Sequence, residues 1–240
     1  MSTNYDAPGQ AQRYASRVWA EEKLLQPVVL DIVRGTGNLD GKVVLDLGCG
    51  PGWYSQNFAE QGARVLAADP SEEILGVARR MHSHPNIEYF LQRGEDLSDF
   101  QEGGFNLVLM NMVVPEMQSV EALEVTVMEV SRVLKQDGDF ILSALHPLYI
   151  HPGQDNSDHA PEFRIRQYAE EGSNYKSSAQ VGSGARIGFN ETHFTMDAVS
   201  IALERAGFFV KATRNSLTKP KCNVHLPKYL ARHAVKFPSA

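Results

Sequence analysis

The stretch Val43-Val-Leu-Asp-Leu-Gly-Cys-Gly-Pro-Gly52 constrains this chain more than any other. Val43, Val44 and Leu45 form an apolar, β-branched run that predicts a strand buried on both faces. The run ends on Asp46 and turns through Gly48, Gly50 and Gly52, and a helix opens at Trp53-Tyr54-Ser55. Strand, glycine turn and helix in that order make the opening unit of a doubly wound α/β fold, in which ligands bind where the strands end. Glycine suits such a turn because a side chain would hold a ligand off the backbone, and because the turn can require positive φ. The plain alternative is a glycine-rich strand-to-helix loop that binds nothing.

The rest of the chain reads as a continuation of that unit. Strands are predicted at 63–68 (ending on Asp69), 86–91, 105–110 and 140–145, with 208–212 and 229–235 as the last two. Before the first strand, Tyr14, Val18, Trp19, Leu25, Val28, Val29 and Ile32 fall at helical spacing across Pro27, which predicts two helices or one broken at Gln26. The helix after the glycine turn should run to about Gln61 and stop at Gly62. Ser71 is placed to cap the next helix, with Glu72 and Glu73 in its first turn and Ile74, Ala78 and Met81 or His82 facing inward. Leu123, Val127, Val130 and Leu134 repeat at i, i+4, i+7 and i+11, predicting a helix that stops at Asp137-Gly138. Thr195 can cap a last helix carrying Met196, Val199, Leu203 and Ala206 on one face, stopped by Gly207. Residues 147–192 show no sustained periodicity and carry His151, His159, Tyr149, Tyr168 and Tyr175. A loop of that length inside a compact domain is a functional lid or a disordered segment, and the aromatic content favours a substrate cap.

Length and charge narrow the class. The 240 residues suffice for one α/β domain with a full core and are few for two. The formal net charge of −6 argues against a sequence-independent grip on nucleic acid. From Arg205 onward, Lys211, Arg214, Lys219, Lys221, Lys228, Arg232 and Lys236 follow with no acid among them. A solvated edge that discourages strand-to-strand aggregation accounts for them, and an anion-binding patch is the alternative. Two cysteines cannot build a disulfide framework, so reduced thiols in a cytoplasmic protein are expected. The first residues lack a basic-then-apolar leader, and no apolar run approaches ~20 residues, so no membrane span is expected. His-x-Cys and paired His-acid spacings are absent, and no metal is expected.

The glycine turn discriminates between ligands. In the dinucleotide fingerprint G-x-G-x-x-G the last glycine would fall at Trp53, whereas the glycines here run G-x-G-x-G. Asp46, two residues before the first glycine, would repel a pyrophosphate and suits a ligand carrying an ammonium group. Both features speak against a nicotinamide-dependent oxidoreductase. Asp46-Leu-Gly48-Cys-Gly50-Pro-Gly52 resembles the first motif of the class I S-adenosylmethionine-dependent methyltransferases, and the resemblance extends over roughly 40–145 and 195–236. It implies a Rossmann-like, doubly wound seven-stranded sheet with helices on both faces and the last strand antiparallel. Residues 8–34 would be a helical cover and 147–192 a substrate-cap insertion within one domain.

The resemblance also implies site residues. Asp46, Gly48, Gly50 and Gly52 would hold S-adenosylmethionine and its product S-adenosylhomocysteine. Asp69, at a strand end about 20 residues past the turn, would bind ribose hydroxyls, an assignment that the general fold rule shares. Pro70 would line the adenine side. Gln92-Arg-Gly-Glu-Asp-Leu-Ser98 looks like the family's loop under the adenine, with Arg93 in place of its usual acid, or Glu95 as that acid after a one-residue gap. Either register keeps Gly94 and Glu95 in the site. Asn111 and Met112 would lie beside the sulfonium. Tyr14 is a candidate for the cofactor carboxylate, or packs in its amphipathic stripe.

The acceptor implied is an oxygen or nitrogen of a small molecule. The Asn/Asp-Pro-Pro-aromatic motif of base-methylating enzymes is missing after the fourth strand, where Asn111-Met112-Val113-Val114-Pro115 stands instead. RNA or protein is the weaker alternative, resting on the basic C-terminal stretch. His146, after the fifth strand, and His193, before the last helix, are candidate bases because histidine titrates near neutrality, or they are hydrogen-bonded structural histidines. Asp69, facing a cleft, should have little to pack against, so its removal should leave the unliganded protein's stability unchanged. The sequence is silent on oligomeric state.

Overall fold

The computed structural model describes residues 5–7, 9–21, 25–146, 171–181, 185–216 and 229–237. Two helices, α1 (Gln10–Glu21) and α2 (Gln26–Gly35), precede the sheet, with Pro27 in the first turn of the second. Pro is tolerated there because its missing N–H has no intrahelical partner at a helix start. Then follow β1 (Val43–Leu47), α3 (Trp53–Glu60), β2 (Arg64–Asp69), α4 (Glu72–Met81), β3 (Ile87–Leu91) and β4 (Phe105–Asn111). A 3-10 turn (Val114–Glu116) leads to α5 (Val120–Val133) and β5 (Leu134–Leu145). Further along the chain come the strands β6 (Asn174–Val181) and β7 (Ala185–Thr192), α6 (Met196–Arg205), β8 (Phe208–Asn215) and β9 (Tyr229–Lys236).

Seven strands form one sheet in the order β3-β2-β1-β4-β5-β9-β8. Strands β1 to β5 run parallel, and β9 is antiparallel to both β5 and β8. The order reverses between β1 and β4, and the carboxyl ends of those strands frame the crevice in which such sheets bind ligands. Side chains alternate between two cores, as the two-residue period of a strand requires. Val44, Leu107, Leu109 and Ile141 pack with Val29 and Val33 of α2 and Phe58 of α3. Leu45, Val108, Met110, Phe140 and Leu142 pack with Leu123 and Val127 of α5 and Val199 and Leu203 of α6. Phe58 and Phe140 are fully buried, and truncating either to alanine would cost roughly 3–5 kcal/mol.

Two expectations change. The helix predicted to reach Asp137-Gly138 ends at Val133, and Leu134 opens β5. Leu134 pairs with Phe105, the register then shifts, and Asp139 pairs with Leu107, so the residues between bulge out of the ladder. Asp137, at φ 58°, makes that excursion. The stretch 147–192 is also not irregular throughout, because β6 and β7 form a two-stranded antiparallel hairpin from Asn174–Thr192 to Val181–Ala185. Residues 147–170, with Tyr149, His151, His159 and Tyr168, lie outside the described residues. On α4, Ile74 and Ala78 face inward as expected, and of the two alternatives at its end His82 is buried and Met81 exposed.

Candidate functional site

The loops that follow β1, β2, β3 and β4 converge on one cavity of about 310 Å³, within the range of small-molecule sites. Each wall has a local cause. The glycine turn is pinned to β2, because Gly48 N–H and Cys49 N–H both donate to the Ala68 carbonyl, at 2.7 and 3.0 Å. Gly48, Gly50 and Gly52 all take positive φ (70°, 54° and 89°). At Gly48 a Cβ would stand 2.3 Å from Val113 Cγ2, so only glycine lets the turn lie against the segment after β4.

Asp69 ties two walls together. Its carboxylate accepts from Gly50 N–H and from Ser71 N–H, each at 3.0 Å, joining the glycine turn to the start of α4. Burial pushes its pKa up to about 6, against the pull of those two N–H groups. Ser71 caps α4 as expected, accepting from Ile74 N–H at 3.2 Å, and its hydroxyl donates to Asp6 at 2.5 Å. Asp46 lies deeper, 2% exposed, and accepts from the Ser55 hydroxyl at 2.5 Å. Burial raises its pKa to about 7, offset in part by that hydroxyl.

The loop after β3 is held from both sides. Gln92 N–H donates to the Asp69 carbonyl at 3.1 Å, and Leu97 N–H to Glu129 at 3.0 Å. Arg132 grips Glu129 through Nε and Nη2 and donates to the Leu97 and Phe100 carbonyls at 2.8 and 3.0 Å. Gly94 abuts α5, where a Cβ would come within 2.7 Å of Thr126 Cγ2.

Of the residues selected from sequence, Gly48, Pro70, Gly94 and Glu95 line the cavity. Asp46, Gly50, Gly52, Asp69, Asn111 and Met112 shape its frame without forming its wall. Ser143 holds the end of β4, its hydroxyl donating to Asn111 Oδ1 at 2.6 Å and its carbonyl accepting from Met112 N–H at 2.9 Å. Met112 takes φ 59°, a conformation that L side chains rarely adopt. Tyr14 packs edge-on against Tyr5 at 5.0 Å and Phe189 at 6.3 Å, over the glycine turn.

Sequence reasoning missed Tyr5, Asp6, Val113 and Glu116, which also line the cavity. Tyr5 and Asp6 tie down to opposite walls: the Tyr5 hydroxyl donates to Glu116 Oε1 at 2.7 Å, and Asp6 accepts from Ser71. Nothing local announces a contact spanning 111 positions of sequence.

The two histidines lie elsewhere. His193 is 3% exposed, its backbone N–H donates to the Ser173 carbonyl at 2.8 Å, and it does not line this cavity. His146 is half-buried, and burial lowers its pKa. Thr192 and Phe194, which flank His193, border a second, apolar pocket with Val114, Pro115 and Leu142, of about 20 Å³. That is room for about one water and no ring. In the basic C-terminal stretch, Arg205 pairs with Glu124, Arg232 is buried against Ser200 and the Met196 carbonyl, and Lys236 holds the Ser131 and Leu134 carbonyls. Those three cations serve the fold. Lys219, Lys221 and Lys228 lie outside the described residues. No described helix is long and apolar enough to cross a membrane.

Comparison with known proteins agrees with this geometry. Residues 44–138 match the methyltransferase domain family model. The ubiquinone biosynthesis O-methyltransferase of Xanthomonas oryzae pv. oryzae is 36% identical over 124 residues, 51% of each chain, so the match spans about half the length of that relative. A crystal structure of a putative S-adenosylmethionine-dependent methyltransferase from Listeria monocytogenes superposes with a TM-score of 0.69 at 24% identity, covering 90% of this chain and all of that one. The 1,6-didemethyltoxoflavin-N1-methyltransferase of Burkholderia thailandensis, solved with 1,6-didemethyltoxoflavin and S-adenosylhomocysteine, superposes at 0.59 with 20% identity, over 95% of this chain and 88% of that one. These likenesses show the fold.

Proposed function

Given that residues 44–138 belong to the methyltransferase domain family, we propose that this protein transfers a methyl group from S-adenosylmethionine to an oxygen or nitrogen of a small molecule. The observation that carries the reading is a cavity shared by four successive strand ends, with the glycine turn as one wall. Its residues fit the cofactor: the wall carries the carboxylates of Asp6, Glu95 and Glu116 against the one guanidinium of Arg93, a balance suited to a ligand with ammonium and sulfonium groups. When bound, the cofactor supplies a methyl on a positively charged sulfur.

The chain's own part is to bind and align. Gly48, Pro70, Gly94 and Glu95 hold the cofactor directly, and Asp46 and Asp69 fix the turn and the start of α4. Alignment of two reactants can lower a barrier by about 7–11 kcal/mol, so no strong catalytic side chain is required. Where the acceptor must lose a proton, His146 or His193 takes it. Residues 8–34 cover the cofactor, and 147–192 close over the acceptor. The chain acts in the cytoplasm on a small molecule; nucleic acid is disfavoured because Arg205, Arg232 and Lys236 of the basic stretch are spent on internal pairs.

The test has two arms. Calorimetry should register S-adenosylhomocysteine and not nicotinamide dinucleotides. A methyl-labelled cofactor, offered with pools of small metabolites, RNA and proteins, should then label the small molecules. Binding of the dinucleotide in place of S-adenosylhomocysteine overturns the reading of the cavity, and label in RNA overturns the acceptor class.

A further inference from the structure

Four charged side chains face the cavity from three directions. Asp6 comes from the N-terminal segment, Arg93 and Glu95 from the loop after β3, and Glu116 from the 3-10 turn after β4. Glu116 is half-buried, whereas Asp6 and Glu95 are exposed. Its Oε1 accepts from the Tyr5 hydroxyl at 2.7 Å, a partner that is itself part of the cavity wall. Burial raises the Tyr5 phenol well above its ordinary pKa, with the Tyr14 and Glu116 side chains adding to the effect, so it remains a donor at neutral pH. A neutral donor on a carboxylate favours the charged form and fixes its direction.

The place of Glu116 matters as much. Val113, Glu116 and Met117 line the large cavity, while Val114 and Pro115 line the small apolar pocket on the other side of the same turn. The 3-10 turn is therefore a partition, and Glu116 is the charge on its cofactor side. The turn follows β4, the strand paired in register with the glycine strand β1.

We propose that Glu116, held by Tyr5, is a specificity-determining residue that makes this cavity favour the cationic methyl donor over its uncharged sulfide product. The inference rests on the cofactor reading above and deepens it. S-adenosylmethionine carries a sulfonium and an ammonium against one carboxylate, for a net charge of +1. S-adenosylhomocysteine has lost the sulfonium charge with the methyl and is net neutral. Three carboxylates against one guanidinium give the wall a net negative charge, so transfer of the methyl removes the attraction to it. Product release follows from the chemistry itself.

Calorimetry on the full chain separates the two states of charge with two stable probes. Sinefungin carries an ammonium where the donor has its sulfonium, and S-adenosylhomocysteine carries neither. The variant Glu116→Gln keeps an acceptor for the Tyr5 hydroxyl while removing the charge. It should weaken sinefungin by about 10-fold, the scale of one partly screened charge pair, and S-adenosylhomocysteine by less than about twofold. In the wild-type protein, raising the salt should erode the sinefungin affinity and spare that for S-adenosylhomocysteine, which needs no variant to fold. Tyr5→Phe should give a smaller loss of the same selectivity. Equal losses for both probes, or salt-independent sinefungin binding, overturn the role of Glu116 and leave the cofactor reading standing. If neither probe binds the folded wild-type protein at millimolar concentration, the cofactor reading falls and this inference with it.

Discussion

Replacing Gly48 by alanine should cost this protein far more than the same change two residues on, at Gly50. Both glycines have positive φ, 70° and 54°, and a non-glycine residue there pays roughly 1–2 kcal/mol for the left-handed backbone. At Gly50 that is the whole cost, because the nearest atom to a new Cβ is Tyr14 Cε1 at an ordinary 3.7 Å. At Gly48 the Cβ would stand 2.3 Å from Val113 Cγ2, with Val113 Cβ and Cγ1 at 3.5 and 3.6 Å. Relieving that overlap should add about 1–3 kcal/mol, for a total of ~2–5 kcal/mol. Urea unfolding of Gly48→Ala, Val113→Ala and the double variant isolates the clash. Val113 is half-buried, and its truncation alone should cost about 1 kcal/mol, whereas in the Gly48→Ala background it should restore stability. Strictly additive losses, or equal losses at Gly48 and Gly50, would refute the close approach of the turn to the segment after β4.

The buried carboxyls make the unliganded protein pH-sensitive. Asp46 and Asp69 titrate at about 7 and about 6 in the fold and near 3.9 when unfolded, so their contribution is full below pH ~4 and is lost as the pH rises through 6 to 7. Asp46→Asn should flatten that decline and raise the melting temperature at pH 8; an unchanged slope would show that Asp46 does not carry it. Asp69→Ala should weaken S-adenosylhomocysteine by roughly 10- to 100-fold in calorimetry. At pH 5.5, where the carboxyl is mostly neutral, it should also destabilise the unliganded protein by ~1–3 kcal/mol, because Gly50 and Ser71 N–H lose their acceptor. For the base, His146→Gln and His193→Gln are compared by rate against pH once an acceptor is in hand. The residue that takes the proton should cost ~10²–10⁴-fold on substitution, and near-wild-type rates in both variants would show that neither histidine is the base.

Much of the frame was readable because it obeys short periods. The run into Asp46, the alternation of β2 and β4 between two cores and the caps at Ser71 and Thr195 are each written within a few residues. The expectation that Asp69 faces an open cleft failed for a different reason. Its partners are N–H groups, which every residue type supplies, and so leave no mark in sequence. Leu134 misled because it continues the apolar stripe of α5 while already pairing with Phe105, and one residue satisfied both patterns. The β6–β7 hairpin escaped notice because serine, glycine and asparagine break its two-residue alternation. Tyr5 and Glu116 form the extreme case, a wall of the cavity assembled from residues 111 apart.

The place of β9 bears on how the protein comes off the ribosome. It is the last described strand in sequence, yet in the sheet it lies between β5 and β8. Ser143 is aligned with Ala231, and Ala231 in turn with Arg214, so β5 and β8 reach each other only through it. Until residues 229–236 have emerged, β5 offers an unpaired edge and β8 has no place in the sheet. A nascent chain stalled before that point should expose sticky backbone edges and need chaperone cover, although its glycine turn and five parallel strands are already made.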